Sequence, residues 1–347
     1  MSLTTELNNA VRNAWVGLND EMIDRSYATP KILLRRARKD IALGNNIDFD
    51  VWFERVPTGA YGPYETLQTA RRESTTRGTV PFRHYYGALN IDGPSLRANN
   101  GVNIGQIMNV NSLKELPSKD TALQLFSIVN EQMKRALNDI SILLGAHFWS
   151  DGSANDGKAI LGTTAIIKNS TASYAGLDPT ATAFTDTPDA VTGNGWWTPQ
   201  VLANAGTNRA LTLELLLRMA TYTRRGNEKD EEILVPMDNN LWEELQMLLE
   251  AQKTYDSPEL HDIGVEAVKY HFCTFVRDEL HPANEMNWLN LAHLWFQIRP
   301  SADFIFNGFN VSPAQDAVAG FVFADLQLVC DDRHRQGLLD DISGIND

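Results

Sequence analysis

The sequence predicts an α+β protein. A long amphipathic helix follows two extended runs in the first half of the chain, and short strands interleave with helices in the second half. Three patterns carry this. Phe126, Val129, Met133, Leu137, Ile140, Leu144 and Phe148 recur at spacings of three, four and seven; Phe49, Val51 and Phe53 alternate with Asp50, Trp52 and Glu54; and the apolar strand Ile233 to Val235 runs into a helix that Asp238 can cap. With 347 residues, 43% of them hydrophobic, the chain can bury two compact modules or one large one.

In chain order, Leu3, Leu7, Val11, Trp15, Leu18 and Met22 give residues 3 to 24 the period of an amphipathic helix, with Gly17 its weak point. After Pro30 comes a basic stretch, Arg35, Arg36, Arg38 and Lys39, and then the alternating strand around Val51. Residues 57 to 81 are polar and punctuated by Pro57, Gly59, Gly62, Pro63, Gly78 and Pro81; a second extended run goes from Phe82 to Ile91. Two strands joined by so long a polar tip make a projecting hairpin that needs a partner to bury against. The strongest helix follows Pro117, with Ser118 or Asp120 as its cap, and ends at the Gly/Asn/Asp cluster Asp151 to Gly157, a module boundary. Beyond it, Leu211 to Arg225 reads as a helix closed by Gly226, and Leu241, Trp242, Leu245, Leu248 and Leu249 as the apolar side of the helix after Asp238. Val268 to Val276 and Trp288 to Ile298 read as one strand each, Phe304 to Val329 as strand-rich, and Asp331 to Asp347 as an acidic tail whose carboxylate pairs, Asp331–Asp332 and Asp340–Asp341, are solvated.

The net charge of −14 and the lack of a long Lys/Arg run argue against a dedicated nucleic-acid reader. The charge is uneven: residues 1 to 90 hold 12 Lys/Arg against 10 Asp/Glu, so the rest carries about −16. Such polarity suits subunits that lay their first quarter on a neighbour's acidic remainder. No signal-peptide pattern and no apolar stretch of membrane-spanning length occurs, so a soluble chain that stays in its compartment of synthesis is expected. Cys273 and Cys330 cannot make a disulfide framework and are expected to be reduced.

Catalytic signatures fail on inspection. Gly152 to Ala159 has phosphate-loop spacing, but Ala159 replaces the Mg²⁺-binding hydroxyl and Asp156 would repel phosphate. Read as a calcium loop from Asp151, the same residues put Asp156 at the turn glycine and Gly162 at the bidentate glutamate. His84, His147, His261, His271, His281, His293 and His334 form no zinc pattern; His271 and Cys273, two apart on one expected strand, lack a third ligand. There is no nucleophile elbow, and eight tryptophans, among them Trp196 and Trp197, are too scattered to define a sugar cleft. The expectation is a protein that is not an enzyme and has no cofactor or metal.

Several local runs point to a family. Leu161-Gly162 through Ile166-Ile167, then Tyr174-Ala175-Gly176-Leu177-Asp178 and Trp196-Trp197-Thr198-Pro199, resemble a run of the Hong Kong 97-type capsid proteins of tailed double-stranded DNA viruses, in which a glycine-leucine turn leads to Y-x-G-[IL]-D and a tryptophan. Ile233-Leu234-Val235-Pro236 before the Trp242 helix, and Phe275-Val276-Arg277-Asp278 before Met286-Asn287-Trp288-Leu289-Asn290, are similar to later parts of the same family. The resemblance covers roughly residues 40 to 300. It implies an N-terminal arm (1–44), an extended loop (45–90), a peripheral domain with a spine helix (91–149), an axial domain (150–300), and return strands with the acidic tail (301–347). It further implies a shell of hexamers and pentamers around packaged DNA, with a scaffolding protein, a portal and in some members a cement protein as partners, and non-specific contact with the genome. A fused scaffolding prefix is expected to be absent, separate or already removed. An encapsulin-type compartment is the alternative within the same fold, and a carbohydrate-active enzyme the alternative outside it. The residues expected to meet neighbouring subunits are Leu7, Val11, Trp15 and Leu18 in the arm and Arg71, Arg72 and Arg77 in the loop.

Overall fold

The computed structural model describes residues 27–39, 44–52, 60–67, 75–92, 94, 119–179, 197–224, 232–249, 267–270, 272–311 and 317–344. The expected N-terminal helix, Phe53, Arg71, Arg72, Trp196, Gly226 and His271 lie outside these residues, as do the side chains of Phe126 and Val129.

Helix α1 (Ala28–Arg35) opens the described chain and buries Ile32, Leu33 and Leu34. No side chain of its own caps it; the Thr29 N–H instead donates to Asp278 Oδ2 at 3.0 Å, so a distant, buried carboxylate satisfies a first-turn amide. Strands β1 (Asn46–Trp52) and β2 (Thr75–Pro81) form an antiparallel hairpin, in register from Asn46 opposite Pro81 to Trp52 opposite Thr75, but not the expected one: its second strand lies inside the segment expected to be a polar tip, and the run from Phe82 to Ile91 pairs with a later strand, Ala317–Cys330, instead. The chain passes through Phe82 into β3 (Arg83–Asp92).

Helix α2 (Lys119–Phe148) is the long helix that the periodicity predicts. Its 30 residues span about 45 Å at 1.5 Å each. Met133, Leu137, Ile140, Leu144 and Phe148 are all buried and the stripe lies against β3, where Gly87 lets the Ile140 and Ala136 side chains approach the strand. On β3, Tyr85 and Leu89 face the core while His84, Tyr86 and Ala88 are exposed, the alternation expected of a sheet with one open face.

Two sheets organise the rest. In the first, the 14-residue β12 (Ala317–Cys330) is the central strand: β3 pairs along one edge, and β11 (Ile305–Val311) and β10 (Leu294–Ile298) lie end to end along the other. The second has six strands in the order β4 (Gln200–Leu202), β13 (Gly337–Leu339), β9 (Met286–Asn290), β6 (Ile233–Met237), β8 (Cys273–Arg277) and β7 (Ala267–Tyr270). Ile233, Val235 and Met237 pack with α3 (Leu213–Thr223) and α4 (Asn239–Leu248) on one face of it, while Leu234 points into the core shared with α2. Burial on both faces explains why β6 reads as an unbroken apolar run. Thr212 and Asp238 cap the two helices, accepting from Leu215 N and Leu241 N. Two-residue β5 (Arg209–Ala210) and β14 (Ile342–Ser343) pair in parallel beside this sheet.

Three further expectations are corrected. Val268 to Val276 is not one strand but a hairpin, β7 turning into β8 with Tyr270 opposite Cys273; the expected shared face of His271 and Cys273 falls on His271, outside the described residues. Trp288 to Ile298 is two strands in different sheets, joined by a turn in which the His293 N–H donates to the Asn290 carbonyl. The apolar pattern runs through that turn without glycine or proline, which is why it reads as continuous. The C-terminal segment is not a solvated tail: Arg333, Leu338, Leu339 and Ile342 are buried, and β13 sits between β4 and β9. Its acidic composition hid three core residues.

Candidate functional site

The motif residues form a structural joint. At the end of α2 the chain doubles back so closely that a β-carbon on Gly162 would lie 2.3–2.6 Å from the carbonyl oxygens of Phe148, His147 and Ser150. Only glycine fits there. The next two residues use the approach: Thr163 Oγ1 donates to the Phe148 carbonyl (3.3 Å) and Thr164 Oγ1 to that of Trp149 (2.6 Å), satisfying acceptors that a helix C-terminus leaves open. Tyr174 and Leu177 close a tight turn with Gly176 at φ +77°. The Tyr174 hydroxyl accepts from Cys330 N at 3.1 Å, its ring stacks on Trp197, and Trp197 Nε1 donates to the Tyr174 carbonyl.

The same turn holds the hairpin. Thr79 N on β2 donates to the Ala175 carbonyl at 2.9 Å. A β-carbon on Gly78 would lie 2.7 Å from the Phe49 ring and 3.3 Å from the Ala175 β-carbon, so this glycine exists for close packing of strand on strand and strand on turn. Val51 and Val80 enter the main core, whereas Ile47 and Phe82 join Trp295 and Val329 in a small separate cluster at the hairpin root.

Arg333 is fully buried and has no carboxylate partner among the described residues. Its Nε and two Nη groups donate to the carbonyls of Ile166, Ala172 and Asn169 at 2.7, 3.0 and 3.0 Å, with the guanidinium 5.7 Å from the Tyr174 ring. Burial pulls its pKa down to about 10. Lys168 contacts the buried Glu285 and lies 3.6 Å from Asp340. Burial works against its charge, but the two carboxylates outweigh it and raise its pKa, while burial pushes Glu285 up as well. His281 donates from Nδ1 to the Pro282 carbonyl and accepts from Asn287 at Nε2, with Trp149 edge-on to its ring. These are satisfied structural groups. Among the described residues no three His, Cys, Asp or Glu side chains gather as a metal site, and the phosphate-loop look-alike is a turn with Asn155 and Asp156 at φ +53° and +56°.

The hairpin loop carries exposed apolar side chains. Tyr61, Tyr64 and Leu67 near its tip are 70%, 106% and 57% exposed, and Glu65 accepts from Gly62 N within that tip. Arg77, the described member of the expected arginine cluster, lies on the stem 3.7 Å from Asp48 and 3.9 Å from Asp50 of the paired strand. Exposed pairs at such distances are weak. Sequence reasoning missed Arg333, because a single arginine in a polar segment gives no sign of burial.

No family model matches the sequence, and no curated protein matches it. Solved structures do. The capsid asymmetric unit of cyanophage A-1(L) aligns with a TM-score of 0.63 over 90% of this chain and 91% of its own, at 16% identity. The capsid of an empty GTA particle gives 0.57 over 90% and 96%, at 12% identity. The holo-SrpI encapsulin complex from Synechococcus elongatus gives 0.52 over 91% and 89%, at 9% identity. In fold, with its long helix packed on β3 and a second, helix-covered sheet, the chain resembles these shell subunits, the Hong Kong 97-type fold.

Proposed function

We propose that the chain is a major capsid protein of a tailed double-stranded DNA virus, a structural subunit that self-assembles as hexamers and pentamers into an icosahedral shell around the packaged genome. The carrying observation is the likeness to a cyanophage capsid subunit over 90% of the chain, combined with a hairpin that projects apolar side chains into solvent. Exposed apolar surface on a projecting element is a contact waiting for a partner.

In this reading residues 1–44 are the arm and 45–90 the extended loop. Residues 91–149 are the peripheral domain, with α2 as its spine and the four-stranded sheet beside it. The axial domain begins at about 150 and is built on the six-stranded sheet. The chain crosses back between Asn290 and Leu294, and then returns a strand, β13, to the axial sheet. Leu7, Val11, Trp15 and Leu18 of the arm, with Arg71, Arg72 and Arg77 of the loop, meet neighbouring subunits. Scaffolding, portal and cement proteins are the expected partners, and contact with DNA is non-specific. The virion is the expected location, after assembly in the host cytoplasm.

The likeness to the encapsulin complex supports a second reading, a protein compartment without a genome. Electron microscopy of particles from the expressed chain, with a nuclease-protection assay on particles from the native source, separates the two. Closed shells that protect DNA are expected. Closed shells holding protein cargo and no DNA would favour the second reading, and a monodisperse monomer under all assembly conditions would overturn both.

A further inference from the structure

We propose that Arg299 is the latch that sets the angle at which the β1–β2 hairpin leaves the body of the subunit. It follows β10 directly, and four groups converge on its guanidinium. Nη1 donates to Asp325 Oδ2 on β12 at 3.1 Å, and Nη2 donates to the Gly44 carbonyl at 2.8 Å and lies 3.4 Å from Asn45 Oδ1, both on the chain entering the hairpin. The plane covers the Phe82 ring at 4.6 Å, on the chain leaving it. One side chain thereby grips both legs of the hairpin and ties them to the central strand.

The surroundings fit a device for angle rather than bulk stability. The root cluster of Ile47, Phe82, Trp295 and Val329 is small and separate from the main core, and a second guanidinium, that of Arg38, lies 3.6 Å above the Trp295 ring. Asp325 is shared: its Oδ1 lies 2.6 Å from His84 Nδ1, so two strands compete for one carboxylate at the pivot. Backbone bonds fix Arg299 itself, whose N–H donates to the Asp325 carbonyl. Lysine could reach one of these partners but not the carboxylate, the carbonyl and the ring face together.

Nitroxide labels at Asp50→Cys on the hairpin and Glu131→Cys on α2 test this in the full chain diluted with unlabelled chain. Both native cysteines are buried and escape labelling. A single narrow distance distribution is expected with Arg299 in place, and a broadened or two-peaked one in both Arg299→Ala and Arg299→Lys. A narrow, unshifted distribution in Arg299→Ala would overturn the latch. Should that variant not fold, Asp325→Asn serves instead, and a narrow distribution there overturns the latch equally. Only the consequence for shells rests on the capsid reading: particle counts of the same variants test that separately, so broadening with normal shells would keep the latch and count against the loop's place in assembly.

Discussion

At the residue scale, the buried polar groups decide how the joint around Tyr174 holds. Arg333 satisfies three carbonyls of the segment between Ile166 and Ala172 with one planar group. Replacing it with Met keeps the volume but strands one buried and two part-buried acceptors, the buried Ile166 carbonyl alone costing roughly 1–3 kcal/mol. Arg333→Met is therefore expected to lower the melting temperature by several degrees and Arg333→Lys to recover little, read by calorimetry on unassembled subunits. His281 gives a pH signature. Burial holds its pKa down to about 3, with positive Lys168 adding to the effect and the Pro282 carbonyl opposing it. The unfolded chain takes up a proton below the ordinary histidine value near 6.5 while the folded chain does not, so stability is present above that value and falls as pH drops from 6.5 towards 3. His147 acts in the same direction, because burial lowers it too, and His293, raised by its contact with Asp331 against the effect of burial, acts in the opposite one. His281→Gln can keep both hydrogen bonds without titrating. Its loss of melting temperature between about pH 7 and about pH 4.5 should be smaller than that of the unmodified chain by a share worth roughly 2 kcal/mol; an identical loss would show that His281 is not the group responsible.

At the element scale, the strong helices were legible and the strand pairings were not. Periodicity located α2 and the Asp238 cap located α4, because those signals are local, while α3, expected over Leu211 to Arg225, runs from Leu213 to Thr223. The splits at His271 to Phe272 and at Leu291 to His293 left no trace, since apolar residues continue through both turns and pairing partners are distant in sequence. For the same reason the polar tail concealed β13, a short strand whose burial comes from its neighbours β4 and β9. The hairpin was legible only in its first strand, the second having been expected at Phe82 to Ile91 because the true one, Thr75–Pro81, is polar and glycine-bearing; two predictions belong to it and to the arm. Arg71, Arg72 and Arg77 replaced together by Ala should lower particle yield, although each exposed ion pair contributes only about 0–1 kcal/mol, because the contact repeats at every subunit. Deleting residues 1 to 25 should leave a folded subunit, since α1 begins only at Ala28 and its apolar face lies in the core, but one that assembles poorly. Normal shells from either variant would remove those residues from the contact.

At the scale of the whole molecule, the proposed shell raises the question of what would hold its subunits together once closed. Some members of the resembling family weld their shells by isopeptide bonds between a loop lysine and a neighbour's asparagine. That reaction needs an amine that can lose its proton in an apolar setting beside a carboxylate base. Between Lys39 and Lys114 this sequence has no lysine, so residues 45 to 90 offer no such nucleophile, and arginine stays protonated and cannot replace it. Lys168, which lies against the buried Glu285, is held charged by Glu285 and Asp340. It sits beside β13 of the six-stranded sheet, not on the hairpin. Shell strength must then come from burial along the arm and loop, or from added cement proteins, and every subunit contact should be reversible by denaturation. Mature particles boiled in detergent with reducing agent should run as a single band near the 38.8 kDa monomer. A ladder of covalent oligomers, with mass spectrometry placing a bond within residues 45 to 90, would show that the loop reacts through chemistry other than a lysine amine.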